Sequence, residues 1–104
     1  MALTPTQLTL RNLRERGYLA AVVEKWNPHV KIRQDLFGFI DVIGVKRGKT
    51  IGVQATTFSN RLSRVRKIAD HENIGAVREA DWILEVHGWR KIKNKWQVTI
   101  EDVS

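Results

Sequence analysis

The chain has 104 residues, 42% of them hydrophobic and four of them Trp, which suits one folded domain spanning residues 1–104 rather than a disordered chain. It carries 18 Lys and Arg residues against 11 Asp and Glu residues, a formal net charge of +7. Such a surplus favours a polyanionic partner, most simply nucleic acid, although it could also serve solubility alone. Cys is absent, which excludes disulfides and thiolate metal sites and fits a reducing cytoplasm.

The N-terminal stretch MALTPTQLTLRNLRERG has no continuous apolar run, so we expect no signal peptide. No window approaches the roughly 18 apolar residues that a transmembrane helix needs. We therefore expect a cytoplasmic protein with no membrane partner.

The first half of the chain predicts one helix and three strands. Thr4 to Gln7 reads as a capping box with Pro in the first turn, and Gly17 ends the helix. Residues 18–26 read as a strand because their valines are β-branched, although a continued helix also fits their spacing. Residues 31–45 and 50–57 predict two antiparallel strands around a basic turn.

The second half predicts a helix and a second hairpin. The helix is capped by Ser59 or Asn60 and runs at least through Asp70. Its apolar face is predicted to comprise Leu62, Val65 and Ala69, with Ile68 beside them. Two closing strands turn near Lys93 and Asn94, so the order is helix, three strands, helix, two strands.

The stretch LFGFIDVIGVKRGKTIGVQATT places two polar residues inside apolar strands. A two-residue turn at Arg47-Gly48 would set Asp41 directly opposite Gln54. Opposed side chains have Cβ atoms about 4.5–5.5 Å apart, so these two could hold one cation or simply hydrogen-bond to each other. Gly52, on the same face, is expected to leave space beside the pair.

The order of elements and this polar pair resemble the PD-(D/E)XK nuclease superfamily, whose restriction-endonuclease-like core runs α-β-β-β-α-β. The superfamily has an Asp on the second strand and a Glu-X-Lys or Gln-X-Lys signature on the third. GFID supplies that Asp as Asp41, and VQAT supplies residues 54–56. RERGY and VVEKW are similar to the lead-in of archaeal Holliday-junction resolvases and VRR-NUC-type domains, while RQDLFGFID, VQATT and EVHGWRK resemble phage-associated members. The resemblance covers residues 4–90 and implies an α/β fold with a central mixed sheet flanked by helices.

The activity implied by the resemblance is Mg²⁺- or Mn²⁺-dependent hydrolysis of DNA phosphodiester bonds, on branched, single-stranded, repair or replication intermediates. Asp41 would be the principal metal ligand. Gln54 would add a neutral oxygen, and the Ala55 carbonyl would be a third ligand. Related domains of this size commonly form homodimers, which the resemblance also implies here.

This chain departs from the signature at two positions. Thr56 stands where the superfamily has Lys, and Gln54 contributes no negative charge. Glu24 would supply charge if its strand lies beside Asp41, and Asp35 would do so from the same strand as Asp41, because even spacing places both on one face. Either acid could equally be an ordinary exposed residue. The candidate catalytic residues are therefore Asp41, Gln54, Thr56, Glu24 and Asp35.

Two groups of residues are candidates for contacting nucleic acid. The first is a stripe on the second predicted helix, opposite its apolar face, comprising Asn60, Arg64, Lys67 and His71, of which the first three would reach phosphates. The second lies in GWRKIKNKW, where Trp89 and Trp96 bracket Arg90, Lys91, Lys93 and Lys95, a mixture typical of backbone contact with base stacking. Each has a plainer explanation, as the polar face of a helix and as a charged turn with its Trp rings held in the core.

The residues alone leave three functions open. The resemblance favours a nuclease. The Gln-X-Thr variant of the signature favours a catalytically inactive nucleic-acid-binding module that keeps the fold. A phage-encoded interaction protein with a merely basic surface is the third.

Overall fold

The computed structural model describes residues 3–104; Met1 and Ala2 lie outside this range. The helices are α1 (Pro5–Glu15), α2 (Arg61–Ala69) and α3 (Ile74–Glu79), with a single 3-10 turn (Phe58–Asn60) before α2. The strands are β1 (Leu19–Val22), β2 (Lys25–Asn27), β3 (Ile32–Gln34), β4 (Val42–Lys46), β5 (Lys49–Thr57), β6 (Ile83–Ile92) and β7 (Lys95–Asp102). The predicted α/β class is confirmed. None of the helices in residues 3–104 is long and apolar enough to cross a membrane.

The central sheet has five strands in the order β1-β4-β5-β6-β7, and β2 and β3 form a separate two-stranded sheet. The β5–β6 pair is parallel, and its crossover contains α2 and α3, as parallel pairing requires. The β1–β4, β4–β5 and β6–β7 pairs are antiparallel. Two antiparallel units therefore meet along one parallel seam in the middle of the sheet.

Helix α1 begins with the predicted capping box. The Thr4 hydroxyl accepts a hydrogen bond from the Gln7 amide at 3.2 Å, and the Gln7 side chain accepts one from the Thr4 amide at 3.1 Å. The chain leaves the helix at Gly17, whose φ of +90° is unstrained only for glycine. Because β1 follows at once, the alternative of a continued helix is wrong.

The predicted β4–β5 register is confirmed. Arg47 and Gly48 form the two-residue turn with φ values of +44° and +77°, and Lys46 pairs with Lys49. Such left-handed pairs are the turns that suit the twist of a hairpin. The β6–β7 hairpin turns at Lys93-Asn94 in the same way, with φ values of +50° and +62°.

The two longest predicted strands of the first half are interrupted. Residues 18–26 divide into β1 and β2, and residues 31–45 divide into β3 and β4. Between β3 and β4, Leu36 and Ile40 exchange backbone hydrogen bonds at 2.9 and 3.0 Å across a tight turn. Phe37 and Gly38 make that turn with φ values of +57° and +91°. The apolar pattern of this stretch therefore reflects an exposed turn followed by the buried residues Phe39 and Ile40, and not one continuous strand.

An apolar core lies on each face of the central sheet. The face under α1 buries Leu13, Tyr18, Ala20, Val42, Ile51 and Val53. The face under α2 and α3 buries Phe39, Ile40, Ile68, Ile74, Val77, Leu84, Val86 and Val103. A Cβ atom on Gly52 would lie 2.8 Å from the Ile40 Cδ1 atom, so Ile40 fills the space that we expected beside the polar pair.

Helix α2 buries a different face from the predicted one. Ile68 is buried and Val65 packs beside it, whereas Leu62 and Ala69 are exposed. Ile68 and Val65 pack against the core residues of the sheet and α3, which sets this orientation. On the same side, the guanidinium of Arg61 donates to the Phe58 carbonyl at 2.9 Å and to Glu101 at 3.3 Å.

The N-terminus of α2 and its polar stripe also differ from expectation. Neither Ser59 nor Asn60 caps the helix with its side chain, because the 3-10 turn leads directly into it. Arg64 and His71 are half-buried, so the predicted stripe borders the buried face and does not lie opposite it.

A buried polar network joins α1 to β6 on the α1 face. Arg16 donates to both Glu85 oxygens at 2.8 and 3.1 Å, and Glu85 Oε1 lies 2.8 Å from His87 Nε2. His87 Nδ1 lies 3.2 Å from the Thr9 hydroxyl, which accepts the indole N–H of Trp89 at 2.9 Å. Because an indole N–H only donates, the Thr9 hydroxyl that accepts it can donate its own hydrogen to His87 Nδ1, and Nε2–H of the same ring can donate to Glu85.

This network predicts how the free energy of unfolding changes at low pH. Burial would raise the pKa of Glu85, but hydrogen bonds from His87 and Arg16 outweigh burial and lower that pKa to about 2. The unfolded chain, with an ordinary Glu pKa near 4.3, takes up its proton first as pH falls. The stabilisation by Glu85 is therefore complete above about pH 4.5 and disappears as pH falls through about 2. The free energy of unfolding, measured by urea titration, should fall less between pH 6 and pH 3 for Glu85→Gln than for the wild type.

Glu79→Gln is the matched control, because Glu79 is exposed on α3. This substitution should leave the loss of unfolding free energy between pH 6 and pH 3 as it is in the wild type. Equal losses of unfolding free energy in wild type and Glu85→Gln would contradict the assignment.

Candidate metal site and nucleic-acid interface

Three carboxyl groups converge at one end of the central sheet. Glu24 follows β1, Asp35 follows β3 and Asp41 precedes β4, and one oxygen from each lies within 4.8 Å of the others. The structure thus brings together all three acids named from the sequence. The route differs from the predicted one, since the Leu36–Ile40 turn, and not the period of a strand, returns Asp35 to Asp41.

Asp41 is held from both sides by backbone and side-chain donors. Its amide donates to the Val53 carbonyl at 2.9 Å, and its carbonyl accepts the Val23 amide at 2.8 Å. Its Oδ2 atom accepts the Gln54 side-chain amide at 2.8 Å and the Ala55 backbone amide at 2.9 Å. Asp41 and Gln54 therefore meet across the hairpin, as the register predicted.

The Gln54 side chain retains one unsatisfied atom. Its residue is only 5% exposed, and Oε1 is the one fully buried side-chain polar atom within residues 3–104 that has no hydrogen-bond partner. Leaving such an acceptor unpaired costs about 1–3 kcal/mol. Rotation of the amide exchanges its oxygen and nitrogen, which would bring Oε1 to the Asp41 carboxylate. A cation on Asp41 would favour that orientation, because an amide ligates a cation through oxygen.

The cluster carries more acidic than basic groups, since its three carboxyl groups have one guanidinium beside them, that of Arg33 on Glu24. Burial of Asp41, followed by its hydrogen bond and charge repulsion with Asp35 and by repulsion from Glu24, raises its pKa to about 8, although the Ala55 N–H opposes this. Carboxyl groups brought together in this way favour retention of a proton. A perturbed acid in such a cluster is typical of functional sites.

These donors fit a hard divalent cation such as Mg²⁺ or Mn²⁺. Three carboxylates and an amide oxygen are the ligand types that such ions take, and the two further carboxylates supply the charge that Gln54 does not. For Ala55, the structure shows a contact through its N–H; ligation by its carbonyl stays a prediction.

Thr56, at the position of the signature Lys, is buried and uncharged. It pairs with Gly88 across the parallel seam, and a Cβ atom on Gly88 would lie 2.9 Å from the Arg61 side chain. The aliphatic part of Arg61 thus lies over Gly88, while its guanidinium is bonded to Glu101 on β7 and to the Phe58 carbonyl.

An aromatic ring with two guanidinium groups lies where β5 ends. Phe58 follows β5 directly, and the guanidinium carbons of Arg61 and Arg90 lie 3.8 and 4.1 Å from its ring centroid. Sequence reasoning named Arg90 but missed Phe58 and Arg61. The spacing of three residues between Phe58 and Arg61, at the start of a helix, was the available signal.

The β6–β7 hairpin continues beyond β5 at the same end of the sheet as the acidic cluster. The last β5–β6 pair is Thr57 with Trp89, after which β6 runs on to Ile92. The predicted basic residues on this extension, all exposed, are Arg90, Lys91, Lys93 and Lys95. Trp89 is held in the core, as the plainer explanation had it, whereas Trp96 is exposed and contacts Lys91, whose ammonium lies 5.6 Å from the ring centroid.

The α2 stripe approaches the site only through His71, which lies against Gly38 in the Leu36–Ile40 turn. His71 packs edge-on against Phe39 and accepts the Asn73 amide at 3.0 Å. Asn60 and Lys67 are exposed, and within residues 3–104 no hydrogen bond or ion pair joins the stripe to the acidic cluster. Their contact with phosphate stays a prediction.

Comparisons of the chain with protein-family models, with curated proteins and with solved structures give no match. The geometry of the site is therefore the basis for assigning a function.

The first prediction for this site concerns cation binding. Millimolar Mn²⁺ or Mg²⁺ should raise the melting temperature of the wild type, because a ligand present at 100 times its Kd stabilises the folded state by about 2.7 kcal/mol. Asp41→Asn should abolish that shift, and Glu24→Gln should weaken it. Asp70→Asn, a change of the same type at an exposed position after α2, is the control. An unchanged shift in Asp41→Asn would exclude the cluster as the cation site.

Proposed function

We propose that the chain is a metal-dependent DNA endonuclease of the restriction-endonuclease-like fold. The observation that carries this proposal is the convergence of Glu24, Asp35 and Asp41, with Asp41 hydrogen-bonded to the side-chain nitrogen of the buried Gln54, whose oxygen lacks a partner. The order α1, β1, β4, β5, α2, β6 supports the same fold, with β2 and β3 as an insertion and β7 as an addition at the edge.

The three carboxylates would hold the cation, with Gln54 Oε1 as the neutral ligand. Bound Mg²⁺ or Mn²⁺ supplies Lewis-acid polarisation of a phosphate oxygen and a lowered pKa of bound water. The protein contributes rigidity, because backbone bonds from Asp41 to its neighbouring strands fix the principal ligand before substrate arrives. The Ala55 and Gln54 donors orient its carboxylate.

The basic end of the sheet supports nucleic acid as the substrate. The exposed cations of the β6–β7 extension lie at the end that carries the carboxylates, so a phosphate backbone on this surface would pass close to the cluster. Phosphate contacts of this kind position a duplex without reading its sequence. A role on branched or repair intermediates fits such a surface better than sequence-specific restriction does.

A catalytically inactive nucleic-acid-binding module is the alternative, and one observation favours it. Thr56 is buried and carries no charge that could stabilise a developing negative charge, and the guanidinium of Arg61, at the start of α2, is bonded to Glu101 and the Phe58 carbonyl.

Cleavage of plasmid, single-stranded and four-way-junction DNA with Mg²⁺ or Mn²⁺ tests the nuclease directly. The wild type and the Asp70→Asn control should cut at least one substrate, and Asp41→Asn should cut none while retaining DNA binding. Salt-sensitive binding by the wild type without cutting of any substrate would instead establish the inactive module.

The basic extension gives a separate prediction for binding. Arg90→Gln should lower the dependence of log K on log salt by about 0.9 for duplex DNA, the value for one lost phosphate contact. Lys49→Gln, the same change of charge at the opposite end of the sheet, should leave the slope unchanged. Equal slopes for wild type and Arg90→Gln in fluorescence anisotropy titrations would remove this residue from the interface.

A further inference from the structure

The β2–β3 hairpin, residues 25–34, is a basic ribbon that stands apart from the central sheet. Its pairs are Lys25 with Gln34, Trp26 with Arg33 and Asn27 with Ile32. No acidic residue occurs between positions 25 and 34, while Lys25, Lys31 and Arg33 each carry a positive charge. The Trp26 side chain is 57% exposed, and Val30 and Ile32 are exposed as well. We call residues 25–34 the arm.

The base of the arm is part of the acidic cluster. Glu24 precedes the arm and Asp35 follows it, and both contribute oxygens to the cluster with Asp41. The position of the arm is therefore linked to the geometry of the cluster, because a cation held by both acids would fix both ends of the ribbon.

Arg33 forms an ion pair with Glu24, one of the carboxylates that a cation would use. Its Nη1 atom lies 2.8 Å from Glu24 Oε1, and its side chain is 68% exposed. The Glu24 side chain is only 17% exposed, but the Arg33 end of the pair is open to water, so its guanidinium can exchange Glu24 for another partner. A divalent cation bound to Glu24 would neutralise the charge that holds Arg33 in place.

We propose that the arm contacts nucleic acid and that Arg33 transfers from Glu24 to a substrate phosphate when a cation occupies the acidic cluster. The transfer supplies, from outside the central sheet, the positive charge that Thr56 lacks. Trp26 is the cross-strand partner of Arg33 on the same face of the ribbon, so its ring can stack on a base or sugar beside that phosphate. A two-stranded ribbon also has the dimensions that a DNA major groove admits.

This inference rests on the proposed cation site, and its test uses binding, so that it does not depend on cleavage. Fluorescence anisotropy with a labelled DNA duplex would be measured across a range of salt, once with Ca²⁺, which takes the same oxygen ligands, and once with EDTA. The variants are Arg33→Gln, Arg33→Lys as the conservative rescue, and Arg47→Gln as a matched control in the β4–β5 turn at the opposite end of the sheet.

The expected result is a cation-dependent phosphate contact. With Ca²⁺, Arg33→Gln should lower the dependence of log K on log salt by about 0.9 relative to the wild type. With EDTA, the variant and the wild type should show the same dependence. Arg33→Lys and Arg47→Gln should match the wild type in both conditions. In a Glu24→Gln background, where Arg33 has no partner, the Arg33→Gln effect should appear with EDTA as well.

Calorimetry supplies an independent readout. Because Arg33 competes for Glu24, Arg33→Gln should bind Ca²⁺ several-fold more tightly than the wild type does, and Arg47→Gln should bind it equally.

The outcomes separate this inference from the proposed function. If Arg33→Gln changes the slope of log K against log salt equally with Ca²⁺ and with EDTA, the cation-dependent transfer of Arg33 is wrong. If the wild type binds vesicles of anionic lipid in preference to DNA, nucleic acid is not the partner of the arm. No effect of Arg33→Gln, in a wild type that cleaves DNA, would overturn the inference and leave the nuclease standing. A cation-dependent effect in a wild type that cuts nothing would support the inference and reject the nuclease.

Discussion

A carboxyl group removed from water needs hydrogen-bond donors or positive charge around it, and the site end of this protein is arranged around that need at Asp41. The Ala55 amide and the Gln54 side chain supply two donors to one oxygen. The approach of Glu24 and Asp35 works in the opposite direction, since each adds negative charge. The pairing of β1, β4 and β5 holds these groups together at a cost that a bound cation would offset.

The two faces of the sheet treat buried polar groups in contrasting ways. Under α1, the chain from Arg16 through Glu85 and His87 to Thr9 and Trp89 leaves no fully buried side-chain polar atom without a partner. Such a closed network specifies how α1 lies on β6 and needs nothing further. On the other face, the Gln54 oxygen has no partner, while its nitrogen donates to Asp41 within a cluster of three carboxyl groups. A polar cluster that is left incomplete in this way is typical of a site that binds something.

The sequence predicted best where local chemistry decides the structure. The capping box at Thr4, the left-handed turn at Arg47-Gly48 and the opposition of Asp41 and Gln54 each depend on residues close in the chain. It failed where distant contacts decide. The face buried by α2 is the one whose Ile68 and Val65 pack against Phe39, Leu84 and other core residues that are distant in the chain.

Sequence analysis predicted neither the arm nor the buried polar network under α1, for related reasons. The apolar run through residues 31–45 conceals a turn that only Gly38 marks. Glu85 and His87 share a strand face, as their spacing of two requires, but nothing local shows that Arg16 and Thr9 would complete their network. The three acids could be named from the sequence, whereas the partner that Glu24 has in Arg33 required the fold of the arm.

Strand β7 has a wider consequence for how copies of the chain behave at high concentration. It ends the five-stranded sheet, so one of its edges presents unpaired backbone groups over eight residues, with Trp96 and Ile100 partly exposed along it. Such an edge is a template for pairing with another strand. A net charge of +7 keeps copies apart through mutual repulsion. A polyanion that neutralises this charge also removes that repulsion, so the edge is least protected against self-association when many copies are gathered on one nucleic acid.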